Sequence, residues 1–281
     1  RVGARSIVCR ESLSELTTAI AMSRCDDKKV TVRRLRGDGL YVPDSRLAGT
    51  DEENRAFLEQ YGIIVVKPVK GEQGNGVSVG IATEDDMKAA IEAARRVCDE
   101  VLLEAYLEGQ DLRIIVIDGK VVAAAVRKPA EVVGNGTSTV AELIEKQSRR
   151  REAATGGESR IPVDEDTRRC LQRAGADFDT VPGEGSVIRV RDTANLHTGG
   201  TMHDVTDRLH QALIDAAERA ARSLNIPVVG LDMIVEAPDK PTYWIIEANE
   251  RPGLANHEPQ PTAERFVDLL FPQTATTRQD T

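Results

Sequence analysis

Residues 63–80 read IIVVKPVKGEQGNGVSVG, with four β-forming residues running into Lys67 and Pro68, then a turn holding Gly71, Gly74 and Gly76. A second β-prone stretch begins at Val77, so the segment reads as strand, glycine loop, strand. Glycine lets backbone N–H groups approach an anion without interference from a Cβ, and a lysine at the strand end adds a point charge suited to phosphate. The loop is not a Walker A motif, because GEQGNG is followed by Val77 and Ser78. It is not a dinucleotide fingerprint either, because a strand follows it. Taken alone, a glycine-rich hairpin is structural more often than it is functional, so the rest of the chain must decide.

The chain has 281 residues, of which 40% are hydrophobic and 30% charged, with a formal net charge of -9. That length supports a large core or several interlocking subdomains. The acidic balance argues against a nucleic-acid partner or an anionic membrane surface. No apolar run approaches the roughly 20 residues needed to span a bilayer, and no signal peptide is visible. Cys9, Cys25, Cys98 and Cys170 are scattered and form no CxxC pair, which suits reduced thiols in a cytoplasmic protein. Because the chain opens on Arg1, we expect its start to lie upstream.

In chain order, residues 1–25 are a lead-in, with a helix expected over Ser12–Met22. Asp51–Tyr61 is expected as a helix with acids in its first turn, and Thr83 as the cap of another. Val101–Glu104 reads as a strand. Asp118-Gly119 between two apolar stretches marks a hairpin. From 134 to 191 the pattern changes: Thr139 and Glu142 form a capping box, and a second helix starts near Asp164. With no apolar core of its own in evidence, this stretch reads as an insertion. Asp207–Leu224 is expected as an amphipathic helix, Val228–Val235 and Thr242–Glu247 as strands, and Thr262–Leu270 as a last helix. Strands outnumber the helices between them and hairpins are frequent, which makes the class α+β and not doubly wound.

The second informative segment is GLDMIVEAPDKPTYWIIEANE, residues 230–250. Glu247 and Asn249 are two apart and share a strand face. If Glu236 pairs with Tyr243, Asp232 lies opposite Glu247. Facing carboxylates destabilise a sheet unless something positive lies between them. Oxygen donors from Asp232, Glu247 and Asn249 suit Mg²⁺ bound together with nucleotide phosphates.

The order of these features resembles the ATP-grasp fold, two α+β subdomains that grip ATP between them, here with a helical insertion. Over about 26–273 the stretches GEQGNGVSV, EKQSRRREAATGGESRIP, TANLHTGGTMHDVTD and IIEANERPGLANHEPQPTAERFVDLLFP are similar to the N-acetylglutaminylglutamine synthetase family. LRIIVIDGKVVAAAVRKPAEVVGNGTSTVAELIEK also looks like the ATP-grasp part of cyanophycin synthetases. The resemblance implies subdomains over 26–107 and 108–272, with the insertion at about 134–191 and a tail at 273–281. It implies that Lys67, Gly71, Gly74 and Gly76 hold phosphates, that Glu104, Ala105 and Leu107 form the adenine hinge, and that Asp111 takes the ribose. It gives Asp232, Glu247 and Asn249 two Mg²⁺ ions, with Mn²⁺ as an alternative.

Many relatives carry D-K-x-x-[ST]-K upstream. Here Val32 stands in place of the second lysine, with Arg33 or Lys28 as alternative cations. The implied activity is ATP-dependent carboxylate–amine ligation of amino-acid or acyl-amino-acid substrates through an acyl phosphate, giving an osmoprotectant dipeptide. Arg113, Arg127 and Asn195 are the expected catalytic residues, and the Gly199-Gly200 turn is an expected source of amide donors. An acetyltransferase domain is expected ahead of this part, and association into a homo-oligomer is left open. The alternatives are another ligase of cyanophycin-synthetase type, a small-molecule kinase on the same fold, or a nucleotide-sensing module.

Overall fold

The computed structural model describes residues 6–71, 74–157 and 159–273. They fall into two compact units, one from residues 1–126 together with 204–281 and one from residues 127–203. No helix among the described residues is long and apolar enough to cross a membrane, and all four cysteines are unpaired.

Among the described residues, the first unit contains two larger antiparallel sheets and one two-stranded hairpin. One has the spatial order Ser45–Leu47, Val101–Ala105, Ile64–Pro68, Ser78–Ile81. Its face carrying Ile64, Val66, Ile81, Val101 and Leu103 is buried with Phe57, Leu58, Met87, Ala90 and Ile91 from helices Asp51–Tyr61 and Glu84–Arg95. Both helices start as the sequence indicates. Thr50 and Glu53 make a reciprocal capping box, and the Thr83 side chain accepts from the Asp86 amide.

The strands of the second sheet within this unit run in the order Lys120–Lys128, Gln110–Ile117, Val228–Val235, Tyr243–Asn249. The first two are joined by Asp118 and Gly119, with φ of 53° and 70°, the left-handed pair that a tight hairpin requires. Leu112, Ile114, Val116, Val229, Leu231, Met233 and Val235 form one buried layer with Leu213, Ala217 and Leu224 of helix Gln211–Leu224. Residues 32–42, grouped by sequence with the first subdomain, bury Val32, Leu35, Leu40 and Val42 in this same layer. A fully buried Leu or Ile is worth about 1.5–3 kcal/mol. A one-residue slip of Val228–Val235 would turn Val229, Leu231, Met233 and Val235 out of the layer and drive Asp232 into it, so the register is strongly fixed.

Three expectations change. The helix expected over Ser12–Met22 is a tight hairpin, Cys9–Arg10 with Leu13–Ser14, followed by helix Ala19–Asp26. Thr18 caps that helix by accepting from the Ala21 amide, which sets its start downstream of Ser12. The helix expected from Asp207 begins at Gln211, because the His210 ring nitrogen accepts from the Ala212 amide and caps it there. The stretch expected to lack a core has one: in the second unit Ala130, Val132, Val140, Leu143, Ile144, Ile161, Leu171 and Val190 are buried together. Its apolar residues are spaced too widely along the chain to show as one pattern. A short ladder, Glu131–Val133 with Val187–Arg189, closes this unit.

Candidate active site

Alternation along the second sheet separates apolar from polar positions. Leu112, Ile114, Leu231 and Met233 enter the buried layer, so Asp111, Arg113 and Asp232 take the opposite face. Asp232 pairs in register with Arg113 on one side and with Glu247 on the other. The expected opposition of Asp232 and Glu247 is therefore present, by a different route. Val235, not Glu236, pairs with Tyr243, and a bulge between Asp232 and Met233 shifts the register by one residue. Sequence alternation carries no signal for such a bulge.

The like charges are compensated one by one. Arg113 grips Asp232 in a bidentate pair, Nε to Oδ1 and Nη2 to Oδ2, the latter 3.0 Å long. Asn249 Nδ2 donates to Asp232 Oδ2 at 3.4 Å and to the Gly230 carbonyl at 3.3 Å. Lys28 Nζ stands 3.0 Å from Glu247 Oε1.

The first sheet supplies a third pair. Lys67 and Glu104 lie on the face opposite Val66 and Leu103, with Nζ 2.7 Å from Oε2, and both side chains are buried. Glu104 Oε2 nevertheless accepts no hydrogen bond of proper angle. Next to it, the amides of Ala105 and Tyr106 donate to Asp44 O and Ile63 O.

Lys28 is the residue that sequence reading placed least well. Val32 is buried in the apolar layer and offers no position for a cation. Asp27 caps helix Lys28–Gly37 by accepting from the amides of Lys29 and Val30. The Lys28 amide donates to Val69 O, and its Nζ donates to Gly71 O at 3.0 Å. The DDK tripeptide was the available signal, since a helix cap fixes the residue that follows it. In the glycine loop itself, Gly71 and Gly76 have φ of 151° and 72°, and an added Cβ would lie 3.3 and 2.9 Å from Val97. Gly74 has open space around it. Glu72 and Gln73 of this loop lie outside the described residues.

Arg127 and Asn195 belong to the second unit. The Asn195 side chain accepts from the His197 amide and caps a short 3₁₀ turn, Leu196–Thr198. The Gly199 and Gly200 amides, expected as donors to a reacting group, donate instead to Leu196 O and Asn195 O. The turn consumes them because Gly199 takes the left-handed conformation that closes it. Arg151 donates to Gly200 O, and burial lowers its pKa.

Among the described residues, no three His, Cys, Asp or Glu side chains are gathered around a metal position. The candidate set is two carboxylates and one amide, hard oxygen donors of the kind Mg²⁺ takes when phosphates and water complete its shell.

Two sheets whose charged faces carry lysines, carboxylates and an arginine, with a glycine loop at one strand end, have the ATP-grasp fold. Residues 25–141 match the RimK-like ATP-grasp domain family. Over 276 residues, 93% of this chain and 31% of the relative, the sequence is 34% identical to a cyanophycin synthetase of Trichormus variabilis. It is 30% identical over 280 residues to the glutathione biosynthesis bifunctional protein GshAB of Clostridium perfringens, covering 93% of this chain and 36% of that one. Among solved structures, a bifunctional glutathione synthetase from Pasteurella multocida superposes with a TM-score of 0.65 at 25% identity, covering 97% of this chain and 39% of that one. The chain thus spans about a third of the length of the curated relatives it matches.

Proposed function

We propose that the chain is an ATP-dependent carboxylate–amine ligase that forms an amide through an acyl phosphate. The observation that carries this reading is the gathering of Asp111, Arg113, Asp232, Glu247 and Asn249 on one sheet face, with Lys28 joining Glu247 to the glycine loop. In this account Lys67, Lys28 and the loop glycines bind the triphosphate. Asp232, Glu247 and Asn249 hold Mg²⁺, which when bound neutralises phosphate oxygens. Glu104, buried beside Lys67 at the end of its strand, is proposed with Ala105 and Leu107 to bind the base. Asp111, on the same face, is suited to ribose hydroxyls.

Arg113 is the cation nearest the candidate metal acids. With Mg²⁺ held by Asp232, the Arg113 guanidinium would serve the transferring phosphoryl group. The protein's part is to position reactants and exclude water, since an exposed acyl phosphate hydrolyses. Arg127 and Asn195 are kept as proposed catalytic residues on the strength of the sequence resemblance alone. For substrates we propose an acylated glutamine and a second glutamine-type amine, on the strength of the sequence stretches quoted above; other amino-acid ligations of cyanophycin-synthetase type are the neighbouring alternative.

The test is a screen of amino acids and acylated amino acids for ADP release, with products identified by mass. ADP together with an amide supports the reading. ADP with only a phosphorylated acceptor would replace the ligase with a kinase.

A further inference from the structure

The hairpin near the start of the chain is tied to the segment that leaves the candidate metal strand, and its turn is built at a local cost. Register pairs Arg10 with Leu13, so Glu11 and Ser12 form a two-residue turn. Glu11 has φ of 55°, at the first turn position, where glycine is the residue a tight hairpin ordinarily calls for. A side chain kept at such a position points to a task for that side chain.

Its surroundings supply one. Arg251 Nε lies 3.2 Å from Glu11 Oε2. The next turn residue, Ser12, is 2% exposed, and its hydroxyl donates to Pro252 O at 2.7 Å, a buried hydrogen bond across 240 residues of sequence. Pro252 in turn packs on Gly230, where an added Cβ would lie 2.9 Å from Pro252 Cβ and 3.0 Å from Arg113 Nη1. Arg113 is the residue that grips Asp232. From Glu11 and Ser12 the links run through Arg251 and Pro252 to the space above Gly230, which Pro252 shares with the Arg113 side chain that grips Asp232.

We propose that the Cys9–Ser14 hairpin is a brace for the nucleotide site, with Glu11 and Ser12 acting as positioning residues. They fix Arg251 and Pro252, and Pro252 against Gly230 confines the Arg113 side chain that orients Asp232. An exposed ion pair adds little stability, so the Glu11–Arg251 pair acts by orientation. Residues that hold a ligand set from behind typically change metal affinity or activity by about ten- to hundredfold when removed. The inference rests on the ligase reading of the site.

The discriminating substitution is Glu11→Gly, because glycine relieves the positive φ while removing the carboxylate. Ser12→Ala removes the buried hydroxyl. Both variants and the unaltered chain are titrated with a fluorescent ATP analogue and Mg²⁺, and their thermal unfolding midpoints are recorded. The brace predicts that Glu11→Gly keeps or raises the midpoint yet weakens nucleotide binding about tenfold, and that Ser12→Ala weakens it at least as much. Unaltered affinity in both variants overturns the brace and leaves the ligase reading standing. Affinity that falls only in step with the unfolding midpoint also overturns it, as the hairpin would then serve the fold alone. If the unaltered chain binds no nucleotide, the ligase reading fails and the brace fails with it.

Discussion

Lys28 Nζ lies 3.0 Å from Glu247 Oε1 and 3.0 Å from the Gly71 carbonyl, so one buried ammonium joins the candidate metal strand to the phosphate-type loop. Arg113 on Asp232 and Lys67 on Glu104 give these two acids cations of their own as well. A bare metal ion must displace Lys28 and Arg113 to reach both carboxylates. A metal arriving with a triphosphate brings acceptors for the cations it displaces.

Mg²⁺ alone is therefore expected to bind weakly, and far more tightly once ATP is present. Isothermal titration with each ligand separately and together measures the coupling. Equal Mg²⁺ affinity with and without nucleotide would contradict the paired-charge account. By the same argument Glu247→Gln should reduce ADP formation by on the order of a hundredfold or more. Near-normal turnover would remove Glu247 from the metal set.

The Lys67–Glu104 pair predicts a separation of stability from activity. Breaking a buried pair leaves an uncompensated charge and costs about 3–5 kcal/mol. Lys67→Met should therefore unfold at markedly lower denaturant than the parent. Adding Glu104→Gln should restore most of that loss without restoring nucleotide turnover. Recovery of both together would mean that Lys67 serves only the fold.

Gly109 precedes the strand that carries Asp111 and Arg113. Its φ is 159°, and an added Cβ would lie 2.5 Å from Val235 O and 2.7 Å from Ile234 Cγ2. Gly109→Ala must push that strand away, at a cost of about 1–3 kcal/mol. Equilibrium unfolding measures it, and a variant as stable as the parent would show that the backbone there yields freely.

In the second unit, burial would raise the pKa of Asp164, but hydrogen bonds from Thr167 and the Arg191 guanidinium outweigh it and hold the carboxyl below the ordinary value of 3.8. A depressed folded pKa adds stability that is complete above the unfolded value and is lost as pH falls through the folded one. Helix Glu165–Arg173, which Asp164 caps, should therefore lose amide-exchange protection below about pH 4. Asp164→Asn should show much less of that acid dependence. Identical acid profiles in the two proteins would exclude Asp164 as the cause.

Much of this fold is legible in the sequence, because its signals are local. Thr50, Thr83 and Thr139 each mark a helix start, and Asp118-Gly119 marks its hairpin. What is not legible depends on partners far along the chain. The bulge after Asp232 changes the pairing of Val228–Val235 with Tyr243–Asn249 without leaving a trace in apolar alternation. The core of the second unit draws on residues from 130 to 190 that show no common period. Lys28 needed Val69, Gly71 and Glu247 to reveal its place. The turn at Glu11 was hidden because glutamate is not a turn-forming residue at positive φ.

An amide made by way of an acyl phosphate leaves its trace in the fate of the carboxylate oxygen. The acid substrate that supports ADP release is labelled with oxygen-18 in its carboxylate, and the phosphate released during amide formation is analysed by mass. Attack of the carboxylate on the terminal phosphate followed by displacement by the amine must carry a labelled oxygen into that phosphate. One labelled oxygen in phosphate is expected for each amide formed. Amide formation with unlabelled phosphate, or with the label in AMP, would contradict it.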